Sequence, residues 1–260
     1  MRRSFSHTLL ITCLIFFYAC SGQHYHTSTE GKNHLVTDTT MIIDSQLVQL
    51  IAPYKIKLEK NISRIIATSN EEMVKGRPES KLTNFLGDLL LEEGKRYLKE
   101  NGKKIEPDIS FFNYGGIRTF IPKGEITVGK IFELMPFENE MVFLQLSGEQ
   151  IQEFLNRIAS NGGESLGGTR FVISNNQAID IKIGNEDLVP EKDYWLVTND
   201  YIATGGDGLT MLLQHKSFIN SNILIRDAII SYLDREYGSE KKIQGVLDGR
   251  IRFKEHNRSN

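Results

Sequence analysis

The stretch from Lys81 to Glu100 limits the possible folds more than any other segment. Leu82, Phe85, Leu86, Leu89, Leu90 and Leu98 recur at helical spacing with polar and charged residues between them. The spacing predicts an amphipathic helix with one apolar face to bury, ended by Asn101 and Gly102. Earlier, Leu47, Leu50, Ile51, Tyr54 and Leu58 also repeat at helical spacing, with Pro53 predicting a break or bend. β-prone runs are expected at 62–68, 108–112, 126–127, 141–146, 170–174, 178–183 and 194–198, and further helices at 128–134, 148–159 and 223–237. Helices and strands are intermixed without strict alternation. That order predicts an α+β fold, a mixed β-sheet packed with helices, rather than a doubly wound parallel sheet.

With 260 residues and 40% hydrophobic content, the chain carries material for one substantial core, or two small ones sharing an interface. A single domain is the expectation. Lys plus Arg number 31 against 33 Asp plus Glu, so there is no basic excess to bind a nucleic-acid backbone, and no nucleic-acid partner is expected.

Residues 1–19 read as a targeting segment. Arg2 and Arg3 supply positive charge, an apolar run extends from Leu9 to Tyr18, and Ala19 precedes Cys20. The run is too short for a membrane span. It resembles a bacterial lipobox, with Phe17 and Tyr18 bulkier than usual for one. The resemblance implies export, cleavage before Cys20, and lipidation of Cys20, which anchors the protein to a membrane of the cell envelope, on the periplasmic side or the cell surface. Residues 20–40 are rich in Ser, Thr, Gly, His and Asn and read as a flexible tether, with His24, His26 and His34 in a solvated spacer. The globular body is expected over 41–254, followed by a polar tail at 255–260.

Two glycine-rich segments stand at the ends of predicted strands: NYGGIR from Asn113 to Arg118, and YIATGGDG from Tyr201 to Gly208. Paired glycines such as Gly115 and Gly116 turn the backbone sharply and let a ligand come close. Taken singly, each segment reads first as a plain turn. Arg118 offers a planar fork of donors suited to phosphate or hydroxyl oxygens, and Asp207 offers two acceptors suited to a vicinal diol. Phe137, in the PFEN segment, is either a core residue or a stacking platform, and Tyr201 is a natural second plate.

The ordered series is more specific than its members. PESKLTNFLGDLL (Pro78–Leu90), NYGGIR, GEIT (Gly124–Thr127), PFEN, LQLSGEQI and NDYIATGGDG resemble, in order and spacing, the C-terminal domain of the 5'-nucleotidase family, over roughly Met41 to Phe253. The resemblance implies that Phe137 and Tyr201 are the two plates of a base sandwich and that Asp207 accepts the ribose diol. It also makes Asn113 a polar contact to base or ribose, Gly116 part of the ligand-binding loop, and Arg118 a contact on the ribose and phosphate side. The family usually has an arginine where Pro78 stands. Arg77, one residue earlier, is the candidate phosphate contact.

Members of that family that act alone also carry a calcineurin-like domain, in which two metal ions held by Asp, Asn and His activate water. The body here has only His215, with His256 in the tail, and no GNH or GHxH pattern. No cofactor is expected in this chain, and divalent metal ions are expected only in a partner metallophosphatase. Ser147, Ser165 and Asp207 are the candidate nucleophiles, but no histidine stands where a triad would need it. Glu92 with Glu93, and Glu138 with Glu140, read as solvated positions. The expectation is the nucleotide- or nucleoside-recognising half of a 5'-nucleotidase-type phosphohydrolase, inactive alone and completed by a separate calcineurin-like metallophosphatase. The alternatives are a stand-alone nucleotide-binding lipoprotein and a structural envelope lipoprotein. The structural alternative predicts Phe137 and Tyr201 buried in separate parts of the core.

Overall fold

The computed structural model describes Gly31, residues 44–238 and residues 241–255. The targeting segment, Cys20, the three tether histidines and His256 lie outside the described residues. By its internal contacts the chain divides into Met1–Leu50 and Ile51–Asn260.

Helix α1 (Ser45–Ile62) forms as the periodicity predicts, but none of its residues is buried, and Leu47, Leu50, Ile51, Tyr54 and Leu58 all stand exposed. Apolar spacing selects the helix without supplying a surface to cover it. The helix continues through Pro53 without the break that was one of the two expectations there. Proline removes one N–H from the helical ladder, and on an exposed helix the carbonyl left without it can face water.

Among the described residues, the first buried one is Ile66, in strand β1 (Ile65–Ser69). Helix α2 (Lys81–Glu100) starts at a capping box between Ser80 and Thr83, and Asn101 caps its end. All six predicted inward residues of α2 are buried, each worth about 1.5–3 kcal/mol of apolar transfer. There follow β2 (Ile109–Phe112), β3 (Gly124–Thr127), α3 (Val128–Leu134), β4 (Glu140–Ser147) and α4 (Gly148–Ser160). Next come β5 (Ser165–Gly167), β6 (Thr169–Ser174), β7 (Gln177–Ile183), β8 (Glu186–Asp187), β9 (Asp193–Asn199) and α5 (Asp200–Ala203). The last elements are β10 (Ser217–Leu224), α6 (Ile225–Glu236), β11 (Lys242–Ile243) and β12 (Ile251–Phe253).

The central sheet runs β10-β4-β9-β2-β5. Its β2–β9 pair is parallel and its other pairs are antiparallel, a mixed sheet within an α+β fold. Two smaller sheets, β11-β1-β3 and β12-β6-β7-β8, complete the body. Side chains alternate across the central strands. Phe112, Phe143 and Val197 join Leu86 and Leu90 of α2 and Ile229 of α6 in one apolar cluster. Phe111, Val142, Leu144 and Leu196 join Ile151, Phe154 and Leu155 of α4 in the other. One sheet with a core on each face therefore serves where composition left open one core or two.

The sheet's borders are irregular. β5 has only three residues, and α2 presses so close that a Cβ on Gly87 would stand 2.5 Å from the Leu166 backbone. On the opposite border, the pairing of β10 with β4 shifts register between Asn220 and Leu224.

Candidate functional site

Strand directions gather the motifs at one end of the central sheet. β2 and β9 run parallel, so the loops leaving them, Asn113–Arg118 and Tyr201–Gly208, emerge side by side. β4 runs antiparallel to β9, with Met141 opposite Asn199, so the PFEN segment enters at that same end. β5 is antiparallel to β2, with Ser165 opposite Phe112, which brings Glu164 there too.

Asn113, Gly115, Gly116, Arg118, Phe137, Asn139, Tyr201 and Asp207 line one cavity of about 370 Å³. The six cavity residues singled out from sequence are all on its wall. Phe137 is 41% exposed and Tyr201 45%, so neither is a core residue, and they do not sit in separate parts of the interior. The Arg118 guanidinium lies 5.9 Å from the centre of the Phe137 ring, and its Nη1 donates to the Gly115 carbonyl at 3.2 Å. The buried Asn113 donates through Nδ2 to Asp207 Oδ2 at 2.7 Å, and the Tyr201 hydroxyl donates to Asp207 Oδ1 at 2.9 Å. A carboxylate is thus held between an amide and a phenol. Gly206 is required here, because a Cβ would meet the Tyr201 ring at 2.5 Å.

A cluster behind the first glycine loop went unread in the sequence. Lys75 Nζ donates to the Tyr114 carbonyl at 3.0 Å and to the Ile117 carbonyl at 2.6 Å. Burial lowers the Lys75 pKa, and the positive charges of Arg118 and Arg77 lower it further. Glu164 is buried and accepts the Tyr114 N–H at 2.9 Å and the Asn161 amide at 2.8 Å. Burial raises its pKa, against those two hydrogen bonds and Arg77, and Asp207 adds to the rise. Arg77 is not on the cavity wall. Its guanidinium covers the Tyr114 ring at 4.2 Å and its Nε donates to the Gly163 carbonyl at 2.8 Å. Lys75 and Glu164 belong to no motif, and only their distant partners reveal what they do.

The other chemical candidates have structural work. Ser147 caps α4 in a capping box with Gln150, and buried Ser165 donates to the Thr83 carbonyl at 2.6 Å. Glu93 is not solvated, as its sequence context suggests, but 1% exposed. Arg96, three residues on, and Arg235 of α6 neutralise it, which is what lets a carboxylate be buried. Glu92 accepts the Tyr232 hydroxyl at 2.8 Å, and Glu140 accepts the Asn220 amide at 2.6 Å.

Among the described residues, no group of three or more His, Cys, Asp or Glu side chains is placed to hold a metal ion. The cavity wall offers one carboxylate, Asp207, already held by Asn113 and Tyr201. The His215 ring leans on Phe218. This donor set does not fit a two-metal hydrolytic centre. The wall suits recognition: two exposed aromatic faces for a flat group, a two-oxygen acceptor for hydroxyls, and a guanidinium for an anion. No helix among the described residues is long and apolar enough to cross a membrane.

The sequence and the fold are similar to those of known proteins. The family profile described as 5'-nucleotidase, C-terminal domain, matches residues 62–214. The chain is 22% identical over 212 residues to the 5'-nucleotidase of Vibrio vulnificus (strain CMCP6), and 24% identical over 217 residues to protein UshA of Escherichia coli (strain K12). Those alignments cover 79% and 80% of this chain, but only 37% and 38% of the relatives. The chain thus spans under two-fifths of the length of these curated relatives. Its fold is similar to the crystal structure of a 5'-nucleotidase precursor from Thermus thermophilus, with a TM-score of 0.63 at 26% identity, over 79% of this chain and 42% of that one.

Proposed function

Because the chain belongs to the family of 5'-nucleotidase C-terminal domains, we propose that its cavity binds a nucleoside or nucleotide. The base stacks between Phe137 and Tyr201, a contact worth roughly 1–3 kcal/mol per plate and tolerant of base identity. Asp207 accepts the ribose diol, Asn113 contacts the base or ribose, and Gly116 lets the ligand approach the loop. Arg118 faces the phosphate side, with Arg77 adding positive charge from behind Tyr114. One observation carries this reading: residues from three separate segments, each chemically matched to a part of a nucleotide, line one cavity.

Hydrolysis is proposed to come from elsewhere. Cleaving a phosphoester needs an activated nucleophile and charge stabilisation at phosphorus, and the cavity wall provides aromatic faces, one engaged carboxylate and one arginine. A separate calcineurin-like metallophosphatase is the proposed partner. A lipid on Cys20 would hold the protein at the cell envelope, where sharing a membrane raises the effective concentration of the two partners. Cys20→Ala is expected to release the protein from the membrane fraction; a variant that stays wholly with lipid places the anchor elsewhere.

The test is a calorimetric survey of nucleosides, nucleoside monophosphates and UDP-sugars against the purified chain, with phosphate release measured in parallel in Mn²⁺, Zn²⁺ or Mg²⁺. Binding that weakens in Phe137→Ala, without turnover, is expected. Absence of binding to every ligand refutes the recognition reading. Turnover that survives purification and disappears in Asp207→Ala refutes the need for a partner.

A further inference from the structure

Asp207 is exposed and sits on a turn between two glycines in the left-handed conformation, with φ 53°. A side chain in that setting ordinarily samples several rotamers. Here both carboxylate oxygens are engaged. Oδ2 accepts from Asn113 at 2.7 Å and Oδ1 accepts from the Tyr201 hydroxyl at 2.9 Å. The Asp207 N–H points back to the same hydroxyl at 3.3 Å, so the phenol oxygen is both donor and acceptor to one residue. The Tyr201 ring meanwhile lies against Gly206, with no room for a Cβ between them.

A carboxylate has about four lone-pair sites, two on each oxygen. Asn113 and Tyr201 take one from each. What remains is a pair of neighbouring acceptors, one per oxygen, held in a fixed direction, which is the arrangement that two adjacent hydroxyls require. We infer that the Tyr201 hydroxyl is a positioning group that aims Asp207 at a vicinal diol, and that it ties the aromatic plate and the diol acceptor into one unit. The inference rests on the nucleoside reading of the cavity. Phenylalanine at position 201 would supply the same stacking face without the bond, so the two roles of Tyr201 are separable by experiment.

The experiment measures affinities of adenosine, uridine and their 2',3'-dideoxy analogues for the full chain, for Tyr201→Phe, for Asp207→Ala and for the double variant, with thermal unfolding as a check on folding. Tyr201→Phe is expected to reduce the ribose-over-dideoxyribose preference about fivefold to tenfold, the scale of one ordinary net hydrogen bond, felt here through the orientation of Asp207. In the Asp207→Ala background the same change is expected to leave the remaining preference where it is, the signature of two residues acting as a unit. Equal losses for ribose and dideoxyribose ligands in Tyr201→Phe overturn the inference, and so does a loss of preference that persists without Asp207. If Asp207→Ala abolishes the ribose preference and Tyr201→Phe retains it, the nucleoside reading stands and the positioning role alone falls. If the unaltered chain binds none of the four ligands, the nucleoside reading falls and this inference falls with it. Should Tyr201→Phe unfold early, Asn113→Ala removes the opposite bond to Asp207, and an unchanged ribose preference there overturns the clamped carboxylate.

Discussion

The two glycine loops around the cavity are built on opposite plans. Residues 113–118 are held largely from outside: Lys75 takes the carbonyls of Tyr114 and Ile117, and Glu164 takes the Tyr114 N–H from 50 positions away in sequence. Residues 201–208 are held largely from within, by Thr204 N–H to the Asp200 carbonyl, Gly205 N–H to the Ile202 carbonyl, and Tyr201 to Asp207. Asn113 is the bond that joins the two loops, through Asp207. The difference teaches where each loop is vulnerable. The first depends on the charge state and placement of remote residues, and the second on the fit of its own atoms.

The sharpest way to break the contrast is Gly206→Ala. The new Cβ falls 2.5 Å from the Tyr201 ring and 2.6 Å from its carbonyl oxygen, so it drives the plate off its loop. Nucleoside binding is expected to weaken by about 1–3 kcal/mol, the worth of one stacking plate, read by calorimetry; unchanged affinity would mean that ring and loop are not a unit. Lys75→Met comes next. Two loop carbonyls lose their donor, and stability is expected to fall by about 1–2 kcal/mol, seen as a lower denaturant midpoint at constant slope. A variant as stable as the parent would make the first loop self-sufficient like the second.

Smaller effects sharpen the comparison. Burial raises the Glu164 pKa in the folded protein, so its contribution is fully present below the ordinary carboxylate value and is lost as pH rises through the raised one. Stability measured across that window should fall with pH in the parent and flatten in Glu164→Gln. A parent slope retained in the variant would assign the pH dependence to another group. The smallest effect is expected for Thr204→Ala. The hydroxyl of Thr204 bonds the Asp200 and Tyr201 carbonyls in exposed positions, where loss is worth within about 0.5 kcal/mol. A fall of several times that size would show that the second loop also hangs on single side chains.

Much of this was legible in the sequence where local chemistry decides. Helix α2 carries its own start at Ser80, its buried stripe and its stop at Asn101, so no distant partner is needed to find it. The cavity residues were legible because glycine pairs and aromatics at strand ends keep a fixed order along the chain. What escaped is decided by pairings across the fold. Lys75 reaches Ile117 across 42 positions, and of the two arginines that neutralise buried Glu93, Arg235 arrives from α6. Strand β10 mixes serine and asparagine with its apolar residues and holds Asn222 at φ 55°, so no clean alternation marks it. Strands β5 and β12 have three residues each, too few for any period. For α1 the reverse holds: its spacing is strong, yet burial depends on a neighbouring surface, and none of its residues is buried.

The irregular borders of the central sheet bear on how the protein behaves when crowded. A sheet edge with a long regular run of unpaired N–H and C=O groups is a template on which another strand can grow. One border here offers three residues, hard against α2, and the other changes register between Asn220 and Leu224 and twists through a left-handed asparagine. An incoming strand would find no long register to match on either side. Wherever many copies of the chain are concentrated together, this sheet resists being lengthened by its neighbours.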